Sequence, residues 1–224
     1  MTRSVLPNRD SYLQQWSELH GGYDPSGNTL VRWWLSLTYD VARLPARARV
    51  PPDVLTLAGV LVSIGAAAVA WLGGAWLLAA AIVVVVSGLL DNVDGAVAVL
   101  TGRATQWGYV LDSAADRVSD LAYVAALWLA GAPPGICIAG AGLMFLHEYV
   151  RARAAAAGMS EVGVVTVWER PTRVIVTAAF LLCGGLFRDD LWAGLGAGLW
   201  VLLGVVALVQ LLVVVRRRLH RPSS

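Results

Sequence analysis

The chain contains no lysine, so all 17 of its basic side chains are arginine. Only 14% of its 224 residues are charged, and it has three histidines, three phenylalanines and two cysteines. So little charge beside 58% hydrophobic residues and a mean hydropathy of +0.66 excludes an ordinary soluble domain of this size. The cysteines, Cys137 and Cys183, lie inside apolar runs, so they read as small buried hydrophobes and not as a disulfide framework. The N-terminus lacks an early apolar core followed by a small-residue cleavage site, and no signal peptide is expected. No repeat of about 20–50 residues is present, which counts against a transporter built from duplicated halves.

What remains is an integral membrane protein. Apolar runs able to cross roughly 30 Å of hydrocarbon at about 1.5 Å per residue fall near 54–72, 75–99, 107–131, 133–157, 172–187 and 191–215. These predict an all-α polytopic protein with six transmembrane helices, joined by short turns such as Gly73-Gly74 and Pro133-Pro134. The arginines set its orientation. Arg32, Arg43, Arg47 and Arg49 precede the first span, Arg103 follows the second, Arg151, Arg153, Arg170 and Arg173 surround the fourth connection, and Arg216, Arg217, Arg218 and Arg221 follow the last. The alternate connectors hold almost none, Arg188 beside Asp189 and Asp190 excepted. By the positive-inside rule both termini face the cytoplasm. Trp71, Trp76, Trp128 and Trp192 at the outer ends, with Trp33, Trp34, Trp107 and Trp168 at the inner ones, read as interfacial belts. Trp200, at mid-span, does not fit.

The first segment, residues 1–50, is polar to about Asn28. Beyond it Leu30, Trp33, Trp34, Leu37, Val41 and Leu44 recur at three- and four-residue steps, with Arg32, Ser36, Asp40 and Arg43 on another face. That pattern predicts an amphipathic helix lying in the headgroup layer. Residues 51–218 form the six-span membrane domain, opened by Pro51-Pro52-Asp53 with Asp53 as N-cap, and 219–224 a short cytoplasmic tail.

Inside this apolar chain stand four aspartates, Asp91, Asp94, Asp112 and Asp116, at the facing ends of the second and third spans. An aspartate at mid-helix costs about 2.5–3.5 kcal/mol to insert, and four in one place also repel one another. A cation, a bound proton or a strong cationic partner offsets both terms, and the arrangement reads first as a metal site. The short connection makes the two helices antiparallel neighbours, so both acidic faces can address one volume. Oxygen ligands with no His or Cys nearby suit Mg²⁺, Mn²⁺ or Ca²⁺ better than zinc, and four carboxylates are enough for two ions of the kind that assist displacement at phosphorus. The competing reading pairs the acids with Arg103 and Arg117, which leaves an excess of negative charge once Asp120 is counted. Gly95 and Gly108 leave the backbone beside the acids open to close approach.

The order Asp91-x-x-Asp94-Gly95-x-x-Ala98, eight residues after Val99, then Gly108-x-x-x-Asp112-x-x-x-Asp116, resembles the signature of the CDP-alcohol phosphotransferase family. Only Val99 departs, since the family has arginine there. The resemblance implies two Mg²⁺ or Mn²⁺ ions on Asp91, Asp94, Asp112 and Asp116, with Asp116 also the general base. It implies a nucleotide site including Thr56, Gly95, Ala98, Gly108 and Arg103, the last one turn beyond Val99. The substrates implied are CDP-diacylglycerol and a polar alcohol, in the cell membrane at its cytoplasmic face, with CMP released. A homodimer is implied too, and no nucleic-acid partner is expected.

Around the fourth span, Tyr149-Val150-Arg151-Ala152-Arg153-Ala154 and Glu169-Arg170-x-x-Arg173 resemble segments of actinobacterial phosphatidylinositol phosphate synthases. That resemblance implies a phosphorylated polyol such as inositol phosphate as acceptor, held by Arg151, Arg170, Arg173 and His147. Asp120 either touches that acceptor or pairs with Arg117. Glycerol 3-phosphate, as for a phosphatidylglycerophosphate synthase, is the alternative acceptor, and a catalytically degenerate relative is the alternative that Val99 raises. An ion or proton transporter would carry its acids near midplane. A scaffold would explain the small-residue pair Gly194-x-x-x-Gly198 but not the acids.

Overall fold

A computed structural model describes residues 6–19, 22, 24–159 and 165–220. Among these residues the secondary structure is helical throughout, without a strand: α1 (Arg9–Leu19), α2 (Thr29–Arg47), α3 (Pro52–Ala70), α4 (Trp76–Thr101), α5 (Gln106–Leu129), α6 (Pro134–Ala156), α7 (Arg170–Phe187) and α8 (Leu191–Leu219), with a 3₁₀ turn at Pro25–Gly27. A helix stands at each expected span. Four of them, α3, α4, α7 and α8, are long and apolar enough to cross a membrane, which marks an integral membrane protein. The other two, α5 and α6, have 24 and 23 residues but carry Asp112, Asp116, Arg117 and Asp120, or Glu148, Arg151 and Arg153. Arg221 and the tail beyond it lie outside the described residues.

The helices contribute to two compact units. One comprises the described residues up to Leu61 together with Ser87–Asp116, and the other Val62–Val86 with the described residues from Arg117 on.

In the first unit α2 shows why its apolar residues divide into two sets. Leu35, Tyr39, Ala42 and Ala46 are buried in a core with Val93, Ala96, Val97 and Leu100 of α4. Trp33, Val41 and Leu44 occupy a different face and stay exposed, Leu44 at 76%. The N-terminal stretch, read as merely polar, contains α1. Its Tyr12, Leu13 and Trp16, at helical spacing, join the same core. Arg9 donates two hydrogen bonds to the Asp40 carboxylate (2.8 and 2.7 Å) and lies over the Tyr39 ring, whose hydroxyl donates to the Pro7 carbonyl (3.0 Å). Tyr12 packs against Tyr39 at 5.5 Å between ring centroids, and burial pushes its phenol up to about 12.

In the second unit α8 packs along α6 and α7. Trp168, expected at a membrane interface, is instead wholly buried and meets Trp200 edge to face at 4.8 Å. Trp200 donates to the Thr177 hydroxyl (3.1 Å), so the mid-span tryptophan that fitted no belt is a core residue with its N–H satisfied. The close approaches of α8 run through Gly196 and Gly204, where an added Cβ would stand 2.7 Å from the Phe180 Cβ and 3.2 Å from the Leu143 Cβ. Gly198 of the expected pair faces open space, and Gly194 has only Pro133 within van der Waals contact. Cys137 and Cys183 are free thiols.

Candidate active site

The turn between α4 and α5 is written in short-range chemistry. Gly102 takes a left-handed φ of 63°, its N–H donates to the Val99 carbonyl, and the Arg103 N–H reaches back to Ala98 (2.9 Å). This pairing ends α4 with its last carbonyls satisfied. Two residues on, the Thr105 hydroxyl accepts from the Gly108 N–H (3.0 Å) and caps α5. A Cβ on Gly108 would stand 3.2 Å from that hydroxyl. The chain thus reverses within four residues, and the facing ends of the two helices come together.

Asp91, Asp112 and Asp116 meet there. Each offers a carboxylate oxygen within 4.8 Å of the others. Three carboxylates gathered this closely can address one Mg²⁺ or Mn²⁺. The donor set is oxygen alone, as such hard cations prefer, and the residues present fit the metal. Asp94 stands apart from this trio. Only 3% exposed, it accepts a 2.5 Å hydrogen bond from the Thr56 hydroxyl of α3 and one from the Gly95 N–H. Thr56, expected beside the nucleotide, is in this structure the partner of an acid.

A cavity of about 360 Å³ opens onto this group. Asp91, Asp94 and Asp112 line it, with Thr56, Gly95, Ala98, Val99, Arg103 and Gly108, so every expected nucleotide-side residue reaches one space. A Cβ on Gly95 would meet nothing within 4 Å, which leaves that wall open to a ligand. Asp53, expected to act as N-cap, lies inside the first turn of α3 and faces the cavity. Sequence reasoning missed Tyr12, Trp16, Asn92, Thr105 and Tyr109, which also line it. The spacing of Tyr12 and Trp16 within α1 was the one available signal.

The expected acceptor residues sit in the second unit, within an ionic network. Arg173, 1% exposed, is bonded to the buried Asp120 and donates to Glu148 (3.0 Å). Arg117 also binds Glu148 (2.9 Å) and lies 3.6 Å from Asp120, so Asp120 pairs with two arginines, and Arg117 is engaged by these carboxylates. His147 is buried, with Nε2 3.3 Å from the Thr166 hydroxyl and Nδ1 3.6 Å from Glu148. Arg151 forks onto Glu169 at 3.0 and 2.6 Å. For the Glu169 carboxyl, burial acts upward, but the hydrogen bonds from Arg151 and Thr166 outweigh it and hold the carboxyl below its ordinary range. Arg170, half-buried, follows Glu169 as the first residue of α7. The structure therefore gathers Arg151, Arg173 and His147 into one network, with Arg173 and His147 buried and Arg151 half-buried on Glu169, not as open guanidinium forks.

Residues 49–217 match the family model for CDP-alcohol phosphatidyltransferase. Among curated proteins, the chain is 40% identical over 141 residues to an archaetidylinositol phosphate synthase of Aeropyrum pernix, covering 63% of this chain and 71% of that one. It is 35% identical over 191 residues to a phosphatidylinositol phosphate synthase of Mycolicibacterium smegmatis, covering 80% and 82%. Among solved structures, the Mycobacterium tuberculosis phosphatidylinositol phosphate synthase with CDP-DAG bound superposes with a TM-score of 0.70 at 28% identity, over 84% of this chain and 99% of that one. The same enzyme in complex with manganese and citrate gives 0.69 at 29%, over 84% and 93%. With the acidic signature, the turn that folds it and these relatives agreeing, the chain belongs to the CDP-alcohol phosphatidyltransferase family and is a phosphotransferase dependent on a divalent metal.

Proposed function

We propose that the chain transfers the phosphatidyl group of CDP-diacylglycerol to a phosphorylated polyol, inositol phosphate before glycerol 3-phosphate, and releases CMP. The observation that carries this reading is the trio Asp91, Asp112 and Asp116, brought by two antiparallel helices to within the reach of one cation beside an open cavity. A divalent ion bound there supplies positive charge to the diphosphate as negative charge shifts onto the leaving CMP. The chain's own residues do the rest. Asp91 and Asp112 would hold the cation, and Asp94, kept oriented by the Thr56 hydroxyl, would add its carboxylate for a second ion. Gly95, Ala98 and Gly108 let the nucleotide lie close to the backbone, and Arg103 offers the diphosphate the guanidinium that Val99 does not. Asp116 takes the proton of the acceptor hydroxyl, whose oxygen forms a bond to the β-phosphorus as the bond from that phosphorus to CMP breaks.

The acceptor's phosphate is assigned to the second-unit network, where Arg117, Arg151 and Arg173 meet the carboxylates Asp120, Glu148 and Glu169, with Arg170 next to Glu169 in the chain. Guanidinium groups suit a phosphate, which they can bind bidentately. The names borne by the relatives favour inositol phosphate. In this reading all six long helices from α3 to α8 cross the cell membrane, α2 lies in the cytoplasmic headgroup layer on Trp33, Val41 and Leu44, both termini are cytoplasmic, and the enzyme works as a homodimer. The test is CMP release by purified protein given CDP-diacylglycerol, Mg²⁺ or Mn²⁺, and in turn inositol phosphate, glycerol 3-phosphate, inositol and serine. Metal-dependent CMP with inositol phosphate alone supports the proposal. Preference for glycerol 3-phosphate overturns the acceptor, and no CMP with any of them overturns the reaction.

A further inference from the structure

The cavity is not enclosed by the catalytic helices alone. Tyr12 and Trp16 of α1 line it, and α1 lies wholly before residue 49, where the match to the family model begins. That segment is moored against the cavity. Arg9 binds Asp40 of α2 through two hydrogen bonds, Tyr39 donates to the Pro7 carbonyl, and Tyr12 packs on Tyr39 within the core that includes Val93, Ala96 and Val97 of α4. A helix anchored at both its start and its middle holds the following turn, which carries Trp16, in a set position.

Three aromatic side chains border the cavity. Tyr12 is buried and committed to Tyr39, and Tyr109 is 57% exposed. Trp16 is half-buried and lines the wall. The polar lining is dominated by Asp53, Asp91, Asp94 and Asp112, which suits a metal-borne diphosphate but offers nothing to the flat face of a base. An indole supplies that face, because aromatic–base stacking is among the stronger contacts a nucleotide makes without hydrogen bonds.

We infer that Trp16 is a nucleotide-binding residue, the indole against which the cytosine of the CDP-linked lipid stacks, so that α1 acts as a base-reading wall of the site. This rests on the reading that the cavity holds the nucleotide, and it goes further in naming the residue and the part of the ligand it touches. Stacking that is equal in the bound and reacting states changes affinity and not turnover. Loss of the indole is thus read in KM and in competition by CMP, while competition by pyrophosphate, which has no base, is untouched.

The experiment measures CMP release and its inhibition by CMP and by pyrophosphate for the full-length protein and for Trp16→Ala, Trp16→Phe and Trp16→Leu. The expected result for Trp16→Ala is a rise of about tenfold in the KM for CDP-diacylglycerol and in the CMP inhibition constant, with kcat and pyrophosphate inhibition within about twofold. Trp16→Phe restores most of the loss. Trp16→Leu, which keeps apolar bulk and removes the π face, behaves like Ala and carries the same test if Trp16→Ala does not fold. Unchanged CMP inhibition in Trp16→Leu, or equal weakening of CMP and pyrophosphate, overturns the stacking role. Failure of the nucleotide reading itself shows separately, as absence of CMP inhibition in the unaltered enzyme, and overturns the wall with it.

Discussion

Thr56→Val removes a hydroxyl and almost no volume, which makes it a clean probe of how Asp94 is held. The Asp94 carboxylate is 3% exposed and accepts from the Thr56 hydroxyl at 2.5 Å and from the Gly95 N–H. At 3% exposure the carboxylate depends chiefly on these protein donors. A hydrogen bond to a carboxylate is worth about 1.5–3 kcal/mol, and an unsatisfied buried acceptor bears its full desolvation cost. If Asp94 acts in the reaction from this orientation, that loss appears as a fall of about 10- to 150-fold in kcat/KM for CMP release. Thr56→Ser, which keeps the donor, is expected to retain most of the activity, and Mn²⁺ in excess is expected to recover part of the Thr56→Val loss by giving the carboxylate another partner. The assay is steady-state CMP release in detergent, with a thermal unfolding scan of each variant without metal. A Thr56→Val enzyme with wild-type kcat/KM and an unshifted scan would refute the claim that this hydroxyl orients Asp94.

Gly95→Ala is expected to leave the unfolding temperature level or raise it, because alanine is the better helix former by about 0.8–1 kcal/mol and its Cβ meets nothing within 4 Å. The same methyl enters the cavity, so the KM for CDP-diacylglycerol rises about tenfold, measured by CMP release. Arg173→Ala leaves the buried Asp120 with only the longer Arg117 contact and is expected to cost about 3 kcal/mol, read by unfolding in detergent, while Arg173→Met combined with Asp120→Leu recovers much of it. For Glu169 the folded pKa lies below the ordinary carboxylate value of about 4.3, so its contribution to stability is complete above that value and lost as pH falls through the lower folded one. Unfolding scans between about pH 6 and 3 are expected to show that decline, and Glu169→Gln to flatten it.

The acids were legible in the sequence because charge inside an apolar run has few explanations, and because a spacing of four sets Asp112 and Asp116 on one face of α5. Asp94 was legible as an acid but not as a partner of Thr56. That pairing joins residues 38 positions apart and depends on how α3 packs on α4. The apolar periodicity of α2 was plain, yet it could not tell its packed face, Leu35, Tyr39 and Ala42, from its exposed one, Trp33 and Leu44. Helix α1 went unread because Tyr12, Leu13 and Trp16 are few among polar neighbours, and its stability comes from the surface it lands on. Trp168 misled for a related reason. A tryptophan at the end of a span has the same address in sequence whether it meets lipid headgroups or, as here, the edge of Trp200.

The central claim is that acids from two neighbouring helices hold a divalent cation, and a structure of the protein grown with Mn²⁺ tests it most directly through anomalous scattering. The expected map has a manganese peak within about 2.3 Å of oxygens from Asp91, Asp112 and Asp116, abolished in Asp112→Asn. A manganese peak elsewhere, or none at these three carboxylates in a crystal saturated with the ion, would contradict the account.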